Sequence, residues 1–171
     1  MIAALLAVLT LPAPPPATAA AFDLEATQRA LGHPEGRDGA LAALDRLPAP
    51  FRTAATAAGT GALLATVALD PSAALSHRVR AVRLLPYYVT PDAPVAPLLG
   101  PLLQATPDPE ATALARETAT ALAALGPVGH PVLAPAAGHP DPELRATVGR
   151  AGALGAGTCA LLEDPWPVVR Q

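Results

Sequence analysis

The sequence predicts an all-α protein made of stacked antiparallel helical pairs, and three observations carry that reading. Apolar residues recur at helical spacing between short Pro/Gly breaks, with no convincing strand-like alternation of apolar and polar residues. The core-forming residues are mainly Leu, Val and Ala, with only 3% aromatics, a mixture that favours helix over strand. The dipeptide Asp-Pro returns at 70, 108, 141 and 164, in each case at a possible helix start.

Composition sets the bounds. The chain has 171 residues, enough for one domain, and is 51% hydrophobic and 15% charged with net charge -3. It is apolar enough and neutral enough to fold. Its 22 prolines and 13 glycines make about a fifth of the chain, so they punctuate structure rather than dominate it. Lys and Asn are absent and Ile occurs only at Ile2, which we read as the bias of a GC-rich genome. The mildly acidic balance argues against a nucleic-acid partner, whose phosphates call for basic contacts. One cysteine makes neither an internal disulfide nor a zinc site.

Residues 1–21 read as a signal peptide. An uncharged apolar run at 2–11 is followed by a Pro/Ala segment ending in small residues. Ala17-Thr18-Ala19 and Ala19-Ala20-Ala21 both offer an A-x-A cleavage site. The run falls short of the roughly 20 residues a membrane span needs, and prolines at 12, 14, 15 and 16 would break one. No Lys or Arg precedes the apolar run, so an upstream start and an uncleaved anchor are the alternatives. No cysteine follows to carry a lipid. The expectation is an exported bacterial protein, periplasmic or secreted, with 22–171 as one helical domain and no stable membrane span after cleavage.

Within that domain the spacing predicts helices at 23–31, 38–47, 51–68, 71–86, 92–105, 109–125, 128–137, 142–154 and 156–163. Asp before Pro supplies both ends of a start signal. The carboxylate can accept from the first free amides, and proline at the first helical position loses no needed donor. Three Gly-His-Pro triplets, at 32–34, 129–131 and 138–140, read as punctuation between helices. The expectation is a left-handed Gly ending one helix, an extended His, and a Pro preventing restart.

The Asp-Pro sites lie 38, 33 and 23 residues apart, and two continue closely alike, as DPELRATVGRAGALG and DPEATALARETATALAALG. DPSAALSHRVRAVRLL fits more loosely. Each is a long helix followed by a shorter, Pro-containing one, the pattern of stacked helical pairs. The Asp-Pro start, Arg145 one turn in and the GALG end resemble a bacterial HEAT repeat; the match is good over 141–163, fair over 108–137 and weak over 38–105. Departures are the short last spacing and the prolines at 131 and 135 inside a second helix. The resemblance implies an α-solenoid whose repeats touch only their neighbours and whose extended surface binds other proteins. It further implies a concave face lined by the second helices, about 92–105, 128–137 and 156–163, with an exposed apolar ridge in VAPLLGPLLQA. DPWPVVRQ reads as the opening of another repeat. A terminal fragment, a fold-back of Trp166 as a plug, and an open end that docks on a partner are its three readings.

Candidate chemical sites are few. His33, His130 and His139, with Glu35 or Asp141, would make a metal site only by converging, and 130 and 139 have no recognised ligand spacing. Cys159 sits in an apolar stretch and reads as a buried thiol. Ser76 and His77 are adjacent and diverge on a helix. Gly59 and Gly61 lack the Lys and the strand of a phosphate loop. Possible partner contacts are Arg80 and Arg83, which are helical neighbours, and the aromatics Tyr87, Tyr88 and Trp166. The bland reading of the basic run is a solvated face whose arginines pair with acids of adjacent repeats. Together these predict an exported protein-binding or scaffolding module with no catalysis, cofactor or metal. The alternatives are a terminal piece of a longer solenoid, a HEAT-like lyase of the phycobilin type and a metal-binding protein.

Overall fold

The computed structural model describes residues 22–90, 94–155 and 161–170, and among them every regular element is a helix. The described α-helices are α1 (Leu24–Leu31), α2 (Pro34–Asp45), α3 (Ala49–Ala57), α4 (Thr60–Leu69), α5 (Leu75–Leu84), α6 (Pro109–Ala124), α7 (His130–Leu133) and α8 (Pro142–Ala151). Tighter 3₁₀ turns cover Leu85–Tyr87, Ala96–Leu103, Gly126–Val128 and Ala134–Gly138. The predicted signal peptide, part of the helix expected at 156–163, and Cys159 lie outside the described residues.

Side-chain caps explain several starts. Asp23 accepts from the Ala26 amide at 2.9 Å, Asp108 from Glu110 at 3.0 Å and Asp141 from Glu143 at 2.8 Å. Each satisfies one amide that the first helical turn leaves without a partner. Pro109 and Pro142 then occupy the first helical position, as the Asp-Pro reading expects. At Asp70 the same dipeptide does something else. Its carboxylate accepts from the Ser72 amide at 2.9 Å and the Ser72 hydroxyl at 2.6 Å, closing a turn, and α5 starts only after Ala74. Asp164 likewise holds the Trp166 amide at 2.9 Å in a turn that opens no α-helix.

Three expected helices change on folding. The single helix over 51–68 is α3 and α4, broken at Gly59, whose φ of 80° favours glycine. The segment expected as α-helix over 92–105 is 3₁₀ at Ala96–Leu103, and 128–137 is split among short turns. Both carry prolines four apart, at 97 and 101 and at 131 and 135. Proline has no amide proton for the i→i−4 ladder and clashes with the preceding turn. The Gly-His-Pro triplets also depart from expectation. Gly32 and Gly129 have φ of -74° and -83°, and among the described residues the positive-φ glycines are Gly59, Gly126, Gly152 and Gly155 instead. His33 and His139 are extended before their prolines, whereas His130 opens α7.

Packing runs in two chain-ordered series. Helices α2, α5, α6 and α8 each pack on the next, and so do α1, α4, Ala96–Leu103 and α7. Between the series, α1 packs on α2, α4 on α5, Ala96–Leu103 on α6 and Ala134–Gly138 on α8. One continuous core results, with Leu41, Leu44, Leu64, Leu99, Leu122, Leu133 and Leu144 fully enclosed. Each such leucine contributes about 1.5–3 kcal/mol relative to exposure. Two crossings need glycine: a Cβ on Gly61 would overlap the Tyr88 carbonyl oxygen, and one on Gly129 the Leu122 carbonyl oxygen.

The packing removes the expected apolar ridge. Val95, Leu99 and Leu103 point into the core and Leu102 is half-buried, leaving Leu98, at 49% exposure, as the one open leucine of that stretch. At the other end Val169 is buried with Leu161 beside Gly149 of α8, while Trp166 is 54% exposed. Val169, not Trp166, is the side chain that folds back.

Candidate functional site: a groove across three helices

Successive packing of α2, α5 and α6 leaves an open groove of about 770 Å³ along their outer faces. Asp38 and Asp45 of α2 form one wall, seven residues and so two helical turns apart. His77, Arg80 and Arg83 of α5 cross the middle, Glu117 and Thr120 of α6 form the far wall, and Tyr87 closes one end. A narrower cleft of about 380 Å³ continues past Tyr87 between Pro86, Ala121 and Ala124.

The charges in this groove are paired across helices. Arg80 reaches Asp38 at 3.5 Å and Asp45 at 3.3 Å, linking α5 to α2. Arg83 links α5 to α6: its Nε donates to Glu117 at 2.9 Å and Nη2 donates to the other carboxylate oxygen. That fork, as donor to a carboxylate, holds the Glu117 carboxyl below its ordinary range and raises the Arg83 guanidinium. The Arg83 side chain is 64% exposed, so the pair adds little to stability and stays open to exchange of partners. The third arginine of the basic run turns away. Arg78 donates to the Ala68 carbonyl at 3.0 Å and ties α5 back to α4.

The two adjacent tyrosines part company. Tyr87 is 59% exposed, with the Arg52 guanidinium 5.0 Å from its ring centre. Tyr88 is 1% exposed and its hydroxyl donates to the Leu44 carbonyl at 2.6 Å. Burial pushes the Tyr88 phenol up, and that side chain is removed from the set of partner contacts. The structure therefore gathers Arg80, Arg83 and Tyr87 into one groove, sends Tyr88 to the core, and leaves Trp166 exposed on the separate 161–170 segment. Sequence reasoning did not identify Asp38, Asp45 or Glu117 as groove residues, nor Arg52 as the neighbour of the Tyr87 ring. The two-turn spacing of Asp38 and Asp45 was the one available signal.

Elsewhere, arginines of α2, α6 and α8 act as struts onto the aspartate of the next Asp-Pro turn along the chain. Arg37 reaches Asp70 at 3.1 Å, Arg116 reaches Asp141 at 2.6 Å, and Arg145 forks onto Asp164 at 2.6 and 3.0 Å. Arg37 and Arg145 also donate to the carbonyls of Leu31 and His139, at 3.1 and 2.7 Å, where the preceding segments end. At Asp141 burial pushes the carboxyl up, but hydrogen bonds from Arg116 and the Glu143 amide outweigh it and the net shift is down. The Ser72 hydroxyl and amide lower Asp70, and the Arg145 guanidinium lowers Asp164.

The histidines of the Gly-His-Pro triplets have different settings. His33 is exposed, His130 is half-buried, and His139 is buried with its Nδ1 accepting from the Asp141 amide at 3.0 Å. Among the described residues, no three His, Cys, Asp or Glu side chains group to hold a metal ion. Ser76 and His77 both border the groove but leave α5 about 100° apart. No described helix is long and apolar enough to cross a membrane. No protein-family model matches the chain, and neither a curated protein nor a solved structure of significant similarity was found.

Proposed function

We propose that this chain is an exported, HEAT-like α-solenoid that binds a partner protein and carries out no catalysis of its own. The observation that carries the binding reading is the groove of α2, α5 and α6, where the exposed Tyr87 and the Arg83–Glu117 fork lie side by side. An exposed aromatic beside an arginine is the combination enriched at the energetic centres of protein interfaces. The ion pairs spanning the groove would orient a partner's charges without a large desolvation cost, because they remain wet.

Two further features support the solenoid reading. The chain-ordered series α2–α5–α6–α8 and α1–α4–96–103–α7 are the neighbour-only packing a solenoid requires. The Arg–Asp struts at 37–70, 116–141 and 145–164 each tie a helix to the next Asp-Pro turn along the chain, a recurrence that supports a repeat. Export rests on the apolar run and small-residue sites of residues 1–21.

The test uses the full-length protein expressed in its own host. N-terminal sequencing of the mature chain should begin at Ala20 or Phe22 and the protein should be recovered outside the cytoplasm. Crosslinking through a photoreactive residue at Thr120, which faces the groove, should yield a discrete adduct with one protein. Tyr87→Ala combined with Arg83→Glu should remove it while leaving the circular dichroism spectrum intact. An adduct that survives both substitutions places binding elsewhere, and an intact, intracellular N-terminus removes export.

A further inference from the structure

Helix α3 contributes little to the core, since Ala55 is its one buried residue. Its polar side chains serve the neighbouring segments instead. The Arg52 Nε donates to the Leu47 carbonyl at 2.7 Å, and Nη2 reaches the Asp45 carbonyl at 3.5 Å. Asp45 is the last residue of α2 and Leu47 lies just past its end, so the guanidinium covers the carbonyl end of that helix. A planar fork held at two points is fixed in a way that a lysine ammonium is not.

Held there, the guanidinium carbon lies 5.0 Å from the centre of the Tyr87 ring. Thr56, four residues on and so on the same face of α3, brings its hydroxyl within 3.5 Å of the Tyr87 carbonyl oxygen. Helix α3 therefore meets both the ring and the backbone of Tyr87. Yet Arg52 borders neither of the two cavities that Tyr87 borders. The cation stands outside the groove, and the ring stands in it. Tyr88 supplies the contrast. Burial and the Leu44 carbonyl fix that side chain, whereas Tyr87 is 59% exposed and has no such enclosure. An exposed side chain that must be ordered on binding costs affinity, and one already ordered does not.

We propose that Arg52 is a positioning residue of the groove, holding the exposed Tyr87 ring in one orientation so that a partner meets an anchor already ordered. The inference rests on the partner-groove reading above. Arg52 acts through Tyr87 rather than by contact with the partner.

The chain has two tyrosines, so ¹³C labelling of tyrosine in the full-length protein gives two sets of ring signals, and Tyr87→Phe identifies one of them. The Tyr87 ring order parameter should approach the rigid value of about 0.85 despite its exposure, and should fall below about 0.6 in Arg52→Gln. The Tyr88 ring should stay rigid in both proteins. At a fixed, subsaturating amount of host extract, Arg52→Gln should also lower the yield of the Thr120 adduct about two- to tenfold, the loss expected when one side chain must be ordered on binding. A mobile Tyr87 ring in the unsubstituted protein, or an equally ordered one in Arg52→Gln, would overturn the proposal. So would loosening of Tyr87 and Tyr88 together, which would mark Arg52 as a general support of the fold. A looser Tyr87 with an undiminished adduct would overturn it as well. If the unsubstituted protein gives no adduct, the groove reading fails, and the ring measurement still decides whether Arg52 fixes Tyr87.

Discussion

Helix α6 and the segment that follows it, residues 126–138, carry the same kind of apolar sequence and fold differently. Over Pro109–Ala124 the only proline is at the first helical position, and the i→i−4 ladder runs unbroken for 16 residues. Over 126–138 prolines at 127, 131 and 135 interrupt it every fourth residue, and the chain settles into a 3₁₀ turn, one α-turn and a second 3₁₀ turn. Both bury leucines on the shared core: Leu114 and Leu122 on one side, Leu133 on the other. Apolar spacing decides which side chains are buried, whereas amide donors decide what kind of helix buries them. The same contrast holds between α4 and Ala96–Leu103, which pack together in the second series.

The sharpest way to break the contrast is to put a proline where none is tolerated. Ala115→Pro places one in the middle of α6, at a fully buried position. It removes a ladder hydrogen bond and drives the ring into the preceding turn, a cost of about 3 kcal/mol or more. Urea unfolding should show that loss, or an unfolded protein. A smaller loss than about 1 kcal/mol would mean that the tertiary core, not the ladder, holds α6 in place.

Next in size is the crossing that joins the two regions. Gly129→Ala would set a methyl group on the Leu122 carbonyl oxygen, backbone against backbone, where no rotamer change gives relief. Overpacking of this kind costs typically about 1–3 kcal/mol. Gly138→Ala provides the control, because a Cβ there meets nothing within 4 Å and its φ is not positive. It should change stability by no more than about 0.5 kcal/mol, as an unconstrained surface change does. Two glycines of the same Gly-His-Pro motif thus have opposite sensitivities, which the melting temperatures of the two variants will separate.

Those triplets show what was legible from sequence and what was not. Asp108-Pro109 and Asp141-Pro142 fixed the starts of α6 and α8 because a side-chain cap acts within two residues. Asp70-Pro71 misled, since Ser72 offers both an amide and a hydroxyl to the same carboxylate and holds the turn instead. The role of Gly129 could not be read, because the Leu122 carbonyl it faces belongs to another helix. Arg80 and Arg83 were recognised as neighbours on one helix, but their partners Asp38, Asp45 and Glu117 are more than 30 residues away in sequence. Tyr87 and Tyr88 look alike in sequence, and only the Leu44 carbonyl distinguishes the one that belongs in the core.

Four paired carboxyls make the stability of the fold pH-dependent with one sign. Asp70, Glu117, Asp141 and Asp164 all titrate below their ordinary values when folded. A depressed carboxyl binds its proton more weakly in the folded chain than in the unfolded one. Its contribution is therefore complete above the unfolded value, near pH 4, and fades as pH falls through the folded one. Melting temperature should be level with pH above about 5 as far as these groups are concerned, then fall below pH 4. Replacing Asp141 with Asn should flatten that decline, and an unchanged slope would show that the Arg116 contact carries none of it.

The smallest expected effect sharpens the comparison most. Pro101→Ala returns an amide proton to the middle of Ala96–Leu103, at an exposed position. The unfolded chain gains freedom, which costs about 0.4–1 kcal/mol of stability. The new donor works the other way, since it can reach the carbonyl of Pro97 and extend an α-turn. The two effects should nearly cancel, leaving a change of less than about 1 kcal/mol with an unaltered urea m-value. Hydrogen exchange at the amide introduced by Pro101→Ala then distinguishes the outcomes. Protection at that amide would mean that Pro101 alone kept the segment from being α-helical. An unprotected amide in a protein of unchanged stability would mean that the Val95, Leu99 and Leu103 packing sets the tighter turn by itself, with proline fitting a geometry that the core already imposes.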